Sequence, residues 1–379
     1  MAGNELFKPK NVAAWALKEK QRPLVVSKAD YTSPPKNHVT LKVIDVAVNP
    51  IDWIMQDEAV FSIDYPNVFG LDVAGEVIEV GDNVDEFRVG QRVIAHCAGY
   101  GEPSQGASQK YTVVQQDRIA ELPYEIPTAV GVVLPLGIST AAAGLYQKDF
   151  LNLPLPTTDP ESLDRSVLIW GGSSSVGSCC IQLAVASGAE VITTASPSNF
   201  EYCRKLGASQ CFDYHDDDVE DQIVKALEGK TVVGAYHAVG ADGAVQSCAR
   251  IVDRTKGKAI VVTVRGVPDK GIPDSVRAKA IGSSAIFEND VGPYIWRKFL
   301  PKALDEKKIV PQPEPLIVGE ELRSVQAGLD KQKKGVQLRE RVAWAYVTIY
   351  NEHTLVYDPA HDGRVDSEWP SEGKVYRRI

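Results

Sequence analysis

One segment constrains the fold more than any other. Val167-Leu-Ile-Trp170, a run with no polar residue, passes directly into Gly171-Gly-Ser-Ser-Ser-Val-Gly177. A run without alternation suits a strand covered on both faces, as in a parallel sheet. Val176, Cys180, Ile181, Ala184 and Val185 then fall at helical spacing, and Gly188 stands where a helix-ending glycine does. A glycine turn from a buried strand into a helix leaves N–H groups unpaired at the positive end of the helix, a seat for a diphosphate. Gly171 is expected to permit the tight turn and Gly177 the close packing of helix on strand. Ser174 takes the place of the middle glycine of the usual dinucleotide fingerprint, and Ser173, Ser174 and Ser175 offer hydroxyl donors.

The rhythm continues. Residues 191–194 read as the next strand, and Ser196-Pro197 as the cap and first residue of a helix ending near Gly207. A third strand is expected around Cys211-Phe212, with Asp216, Asp217 and Asp218 opening another helix. Residues 232–237 and 258–264 are two more strands, with residues 241–252 helical between them. Five strands alternating with four helices predict an α/β doubly wound parallel sheet. An NAD site normally has Asp or Glu after the second strand, to hold the ribose 2′-hydroxyl. Here Thr193-Thr-Ala-Ser-Pro-Ser-Asn199 holds no carboxylate. Ser196, Ser198 and Asn199 offer hydrogen bonds to a 2′-phosphate, with Arg204 and Lys205 as nearby charge. The expected cofactor is NADPH; an ordinary capped helix start would have the same Ser-Pro pair.

The flanks have other textures. Residues 39–48, 73–80, 92–97 and 110–114 are short β-type runs punctuated by Gly70, Gly75, Gly81 and Gly90, which predicts a small bent β domain. Residues 295–304 and 320–329 read as helices, residues 342–346 as a strand, and residues 347–379 as a polar tail of uncertain order. With 41 Lys and Arg against 50 Asp and Glu, the net charge is −9, which disfavours a nucleic-acid surface. No apolar run of bilayer length and no secretory leader is read, so no membrane partner is expected. The six cysteines, two of them adjacent, suit reduced thiols in a cytoplasmic protein.

The chain resembles the medium-chain dehydrogenases/reductases, in particular the zinc-free fungal enoyl reductases that act in trans with polyketide synthases. The carrying segments are Asn49-Pro-Ile-Asp-Trp53, Phe69-Gly-Leu-Asp-Val-Ala-Gly-Glu-Val77, Leu136-Gly-Ile-Ser-Thr-Ala141, the loop 171–177, Ser196-Pro-Ser-Asn199 and Leu206-Gly-Ala208. The resemblance implies a GroES-like β domain (residues 1–135), a Rossmann NADPH-binding domain (136–292) and a return to the first domain (293–346). It places Pro50, Ile51, Asp52 and Trp53 at the nicotinamide. Ser174, Ser175, Val176 and Gly177 would hold the pyrophosphate, and Ser196, Pro197, Ser198, Asn199 and Tyr214 the 2′-phosphate side. Thr263 and Val264 would lie beside the nicotinamide. Gly137, Ile138, Ser139, Thr140, Ala141, Ala142, Ala143 and Gly144 would line the substrate, as would Ile281, Gly282, Ser283, Ser284 and Ala285. Asn49, Asp52 and Thr140 also have a simpler reading, as turn ties or helix caps.

No metal is expected. Zinc members carry a Cys where this chain has Asn49 to Asp52, and a His-Glu pair where it has Gly70-Leu-Asp72. Without a Lewis acid, an alkoxide is poorly stabilised, whereas a conjugated acceptor spreads its charge into an enolate. The resemblance and this chemistry imply reduction of an α,β-unsaturated carbonyl or enoyl substrate, with hydride added to the β-carbon. Related enoyl reductases often have Lys where Ile54 stands, so the proton donor differs. Thr140 and Tyr65 are the catalytic candidates, with His96 and Tyr100 as further acid groups. Quinone or aldehyde reduction, or nucleotide binding without catalysis, stay open. A polyketide synthase partner and a monomer or homodimer are the expected associations.

Overall fold

The computed structural model describes residues 9–240, 243–335 and 344–348. The first part is β-rich: β1 (Asn11–Ala16), β2 (Val25–Ala29), β3 (His38–Ala47), helix α1 (Pro50–Glu58), β4 (Asn67–Val68), β5 (Asp72–Val80), β6 (Arg92–His96), β7 (Tyr111–Gln115) and β8 (Ile119–Glu121). Strand β3 runs antiparallel to β5 with two register shifts, and such bulges bend and twist a strand. Gly75 sits at that irregularity; a Cβ there would lie 2.3 Å from the Lys42 carbonyl oxygen. Val39, Leu41, Val43, Val73, Val77 and Val93 fill the interior of this bent sheet.

Helices α2 (Thr128–Gly131) and α3 (Pro135–Tyr146) lead into the second part. There follow β9 (Arg165–Trp170), α4 (Ser175–Ala186), β10 (Glu190–Thr194), α5 (Phe200–Lys205), β11 (Gln210–Phe212), α6 (Val219–Ala226), β12 (Thr231–His237), α7 (Ala244–Asp253), β13 (Ile260–Thr263) and β14 (Arg277–Ala280). The strands form one parallel sheet in the order β11-β10-β9-β12-β13-β14. Order therefore reverses between β9 and β12, and the ligand crevice of such a sheet opens at the carboxyl ends there. Val167, Leu168 and Ile169 are fully buried, as their unbroken apolar run required.

The chain then runs through α8 (Val291–Pro293), a π-helical stretch Tyr294–Phe299, and α9 (Leu300–Asp305). It returns to the first sheet with β15 (Pro315–Glu320), α10 (Val325–Lys333) and β16 (Trp344–Thr348), which gives the order β15-β16-β3-β5-β6-β8 with β7 on β3.

Several expectations are corrected. The helix expected over 320–329 starts five residues later, because Glu320 still ends β15. The closing strand is Trp344–Thr348, so Val347 and Thr348 belong to it rather than to a tail; residues 342–343 and 349–379 lie outside the described residues. Strands β1, β2, β8 and β14 and helix α1 were not foreseen. Thr128–Tyr146 spans 19 residues and is long and apolar enough to cross a membrane, against the reading that no such run exists. Most of it is buried inside the fold, where α3 packs on α4 as a core helix.

Candidate active site

The phosphate loop forms as its glycines dictate. Gly171 has φ of 89°, a region open to glycine and strained for other residues. A Cβ on Gly177 would stand 2.1 Å from the Gly171 carbonyl oxygen, so only glycine lets the first turn of α4 sit so close to the loop. Ser174 is the N-cap of α4, and its hydroxyl is fully engaged: it accepts from the Gly177 N–H at 3.0 Å and donates to the Ala238 carbonyl at 3.1 Å. Of the three serines, Ser174 is thus a cap rather than a free donor. Ser175 and Val176 are the first two helical residues, whose N–H groups have no acceptor within the helix. These amides, with the helix dipole, suit a diphosphate.

At the ends of β10 and β11 the 2′-phosphate candidates divide. Ser196 precedes a 3₁₀ turn, Pro197–Asn199, but its hydroxyl makes no cap bond and meets Tyr214 Oη at 3.1 Å instead. Tyr214 is 42% exposed and stacks on His215, with ring centroids 4.1 Å apart. The edge therefore presents two hydroxyls, an aromatic face and an imidazole held by Asp213 at 2.8 Å. Ser198 and Asn199 lie on the turn. Arg204 covers Phe200, and Lys205 pairs with Glu201. His215 had no sequence signal beyond its neighbourhood.

The nicotinamide candidates lie on α1. Pro50 opens this helix and Asn49 caps it; Asp52 reaches back so that its Oδ2 accepts the Asn49 N–H at 2.7 Å. The other Asp52 oxygen accepts from Tyr100 Oη at 2.6 Å. The Asn49 side chain donates to Asp72 at 3.0 Å, and Asp72 also accepts the Leu136 N–H at 2.8 Å, at the start of α3. One polar network thus joins α1, β5, the loop after β6 and α3. Burial pushes the Asp52 carboxyl up to about 6, against the pull of its Tyr100 and Asn49 hydrogen bonds. Asp72 is raised well above the ordinary carboxylate range by burial, with the Asp52 charge adding to the rise. Ile51 and Trp53 are half-buried on the β-domain core, and Lys333 lies 5.7 Å from the centre of the Trp53 ring.

Of the α3 candidates, Gly137, Ile138, Ser139, Ala141, Ala142, Ala143 and Gly144 are buried. Gly137 faces Cys179 and Ser175 on α4, and Gly144 faces the Tyr236 ring. Their side-chain positions serve helix packing. Thr140 is partly exposed, and its hydroxyl bonds back to the Leu136 carbonyl at 2.6 Å. Ser139 Oγ accepts from Trp296 Nε1 at 3.1 Å and lies 2.9 Å from His96 Nδ1. That network assigns the serine proton to Nδ1, leaving Nε2–H without a partner among the described residues. Burial, chiefly, lowers His96 to about 3, so its ring is neutral.

Thr263 is buried; its hydroxyl accepts the Arg265 N–H at 3.1 Å and meets His237 Nδ1 at 2.8 Å. Val264 follows it at the strand end, half-buried. His237, at the carboxyl end of β12 beside the crevice, was missed; burial lowers it to about 4. Ile281, Gly282, Ser283, Ser284 and Ala285 follow β14, partly exposed, into a turn across α3, and Phe287 of that turn lies edge-on to His96 at 5.5 Å. Tyr65 packs against the β-domain core, where burial raises its phenol; its Oη has no hydrogen-bond partner among the described residues.

A β domain joined to a dinucleotide-type sheet, with buried polar groups where the two meet, defines an oxidoreductase of the alcohol dehydrogenase class. Residues 35–124 match the alcohol dehydrogenase GroES-like domain, and residues 175–302 match the zinc-binding dehydrogenase family. The chain is 40% identical over 367 residues to the dehydrogenase pigH of Monascus ruber, covering 88% of this chain and 99% of that one. It is 41% identical over 337 residues to the trans-enoyl reductase himH of Aspergillus japonicus, covering 88% and 96%. In fold it is similar to an alcohol dehydrogenase superfamily protein from Novosphingobium aromaticivorans, with a TM-score of 0.74 at 23% identity over 90% of this chain and 100% of that one. The chain belongs to the medium-chain dehydrogenase/reductase family, and within it stands with the fungal trans-enoyl reductases.

The zinc in the matched family's description does not fit the residues here. The places of the expected ligands hold Asn49, Asp52 and Asp72, whose polar atoms bond to one another, to Tyr100 and to the α3 backbone. Tetrahedral zinc takes thiolate, imidazole or free carboxylate donors. Among the described residues no group of three or more such side chains converges.

Proposed function

We propose that this protein is an NADPH-dependent reductase of conjugated carbonyl or enoyl substrates that works without a metal ion. The observation that carries the reading is the network of Asp52, Tyr100, Asn49 and Asp72, whose polar atoms are engaged in hydrogen bonds. The loop 171–177 would hold the diphosphate through the Ser175 and Val176 amides. Ser196 and Tyr214 would take the 2′-phosphate as donors, with no carboxylate on that turn to repel it. Bound there, the reduced nicotinamide supplies a hydride. The protein's own part is alignment, exclusion of water and provision of a proton.

Exposed Phe61 beside the Tyr100 ring would offer an acyl chain an apolar contact. An acyl chain carried by a polyketide synthase, and a place in the cytoplasm, are part of this proposal. Fluorescence titration is expected to give tighter binding of NADPH than of NADH, and Ser196→Asp is expected to shift the ratio at least tenfold toward NADH. NADPH is expected to be consumed with enones and enoyl thioesters in preference to quinones and aldehydes. Equal affinity for the two coenzymes, or turnover confined to quinones, sinks the reading.

A further inference from the structure

Ile54 cannot ionise, so the protonation half of the reaction needs another donor. Three acid groups lie in this part of the β domain. His96 is turned toward Ser139 and held neutral. Tyr65 packs on the core, and among the described residues its Oη has no hydrogen-bond partner. Tyr100 alone is joined to a carboxyl group, through the 2.6 Å bond to Asp52 Oδ1. The second Asp52 oxygen is fixed by the Asn49 N–H, so the carboxyl cannot turn away. The Tyr100 ring stands edge-on to buried Phe69 at 5.5 Å and 6.3 Å from Phe61, which is 53% exposed. Tyr100 therefore stands between a buried carboxyl and an exposed aromatic side chain.

We propose that Tyr100 delivers the proton to the substrate α-carbon and that Asp52, acting through it, replaces that proton. The inference rests on the enoyl-type reading above. The β-carbon gains a hydride, with its electron pair, from the reduced nicotinamide, and the alkene π pair moves into an enolate. The α-carbon then forms its C–H bond with the Tyr100 proton as that O–H bond breaks. The Asp52 carboxyl proton passes to Tyr100 Oη, and solvent reprotonates Asp52. The alkene is reduced, the nicotinamide is oxidised and one proton is taken from water.

The titratable group that acts on this pair is Asp72 on β5, whose charge adds to the rise of the Tyr100 phenol. Burial raises the Asp72 carboxyl well above the ordinary range, and the Asp52 charge adds to the rise. Arg22, Lys333 and Asp57 form a separate ion cluster toward the far end of α1. The relay consequently depends on the protonated form of Asp52.

The test has two arms. In the protein without coenzyme, the infrared carboxyl band abolished by Asp52→Asn is expected to titrate near 6. Tyr100→Phe is expected to raise that midpoint, because the lost hydrogen bond favoured the carboxylate. With NADPH and a short-chain enoyl thioester, kcat is expected to fall as pH rises through this midpoint. Tyr100→Phe is expected to lower kcat at least tenfold with the NADPH Kd unchanged, and Asp52→Asn to flatten the pH profile. Wild-type kcat and pH profile in Tyr100→Phe would overturn the relay alone, as would a tenfold loss confined to Tyr65→Phe. Absence of NADPH consumption by the wild type with every conjugated acceptor would overturn the enoyl-type reading and the relay together.

Discussion

Two buried side chains make opposite contributions to the pH dependence of stability. His96 is fully buried and its folded value, about 3, lies below the ordinary 6.5. Unfolding therefore takes up a proton across that window. The contribution of His96 is fully present above about 6.5 and is lost as pH falls toward 3. Asp52, raised to about 6, runs the other way: its native carboxyl keeps a proton that the unfolded chain sheds, so stability falls as pH rises from about 4 to 6. His96→Gln is expected to make the acid limb of a Tm-against-pH curve shallower between pH 6.5 and 4, whatever it does to Tm at pH 7. An unchanged slope would show that another group sets the acid limit.

At the scale of the element, the strand-loop-helix unit from β9 to α4 was the most legible part of the chain. Its conformation is set by neighbours in sequence: an apolar run, glycines at fixed spacing and a capping serine. Gly177→Ala is expected to weaken NADPH binding at least tenfold, because a methyl 2.1 Å from the Gly171 carbonyl must push α4 off the loop; calorimetric titration reads this directly. Helix α1 was opaque because Asn49-Pro50 reads equally as a turn or as a cap and first helical residue. Strand β14, with Arg277 and Lys279 in its four residues, lacks the apolar signal since it is the sheet edge, where charge guards against further pairing. Strand β2 was missed for a related reason, since only one of its residues, Ala29, is buried, whereas the buried positions of β1 are Asn11 and three alanines, residue types that strands disfavour.

Over the whole molecule, what sequence cannot convey is which distant residues meet. Ser139 was taken for a substrate contact. In the fold its hydroxyl joins His96 of the β domain, α3 and Trp296 of the returning π-helical stretch, partners 43 and 157 residues away. No spacing rule reaches so far. Ser139→Ala leaves the Trp296 indole N–H and one His96 nitrogen without partners. A buried unsatisfied group costs about 1–3 kcal/mol, so the variant is expected to lose roughly 2–4 kcal/mol in urea unfolding, with NADPH affinity little changed. Arg297, the next residue, ties the same stretch to Glu86 at 2.7 Å and Asp117 at 2.9 Å. Those bonds are solvent-exposed or half-buried and contribute less.

The hydroxyl of Ser139 also bears on how the crevice can breathe. Three stretches of chain converge on one dry atom, and parting them would strand polar groups away from water. Motion between the two halves is cheapest where it leaves that point at rest. The fulcrum then lies at α3, where His96 and Trp296 meet the same hydroxyl.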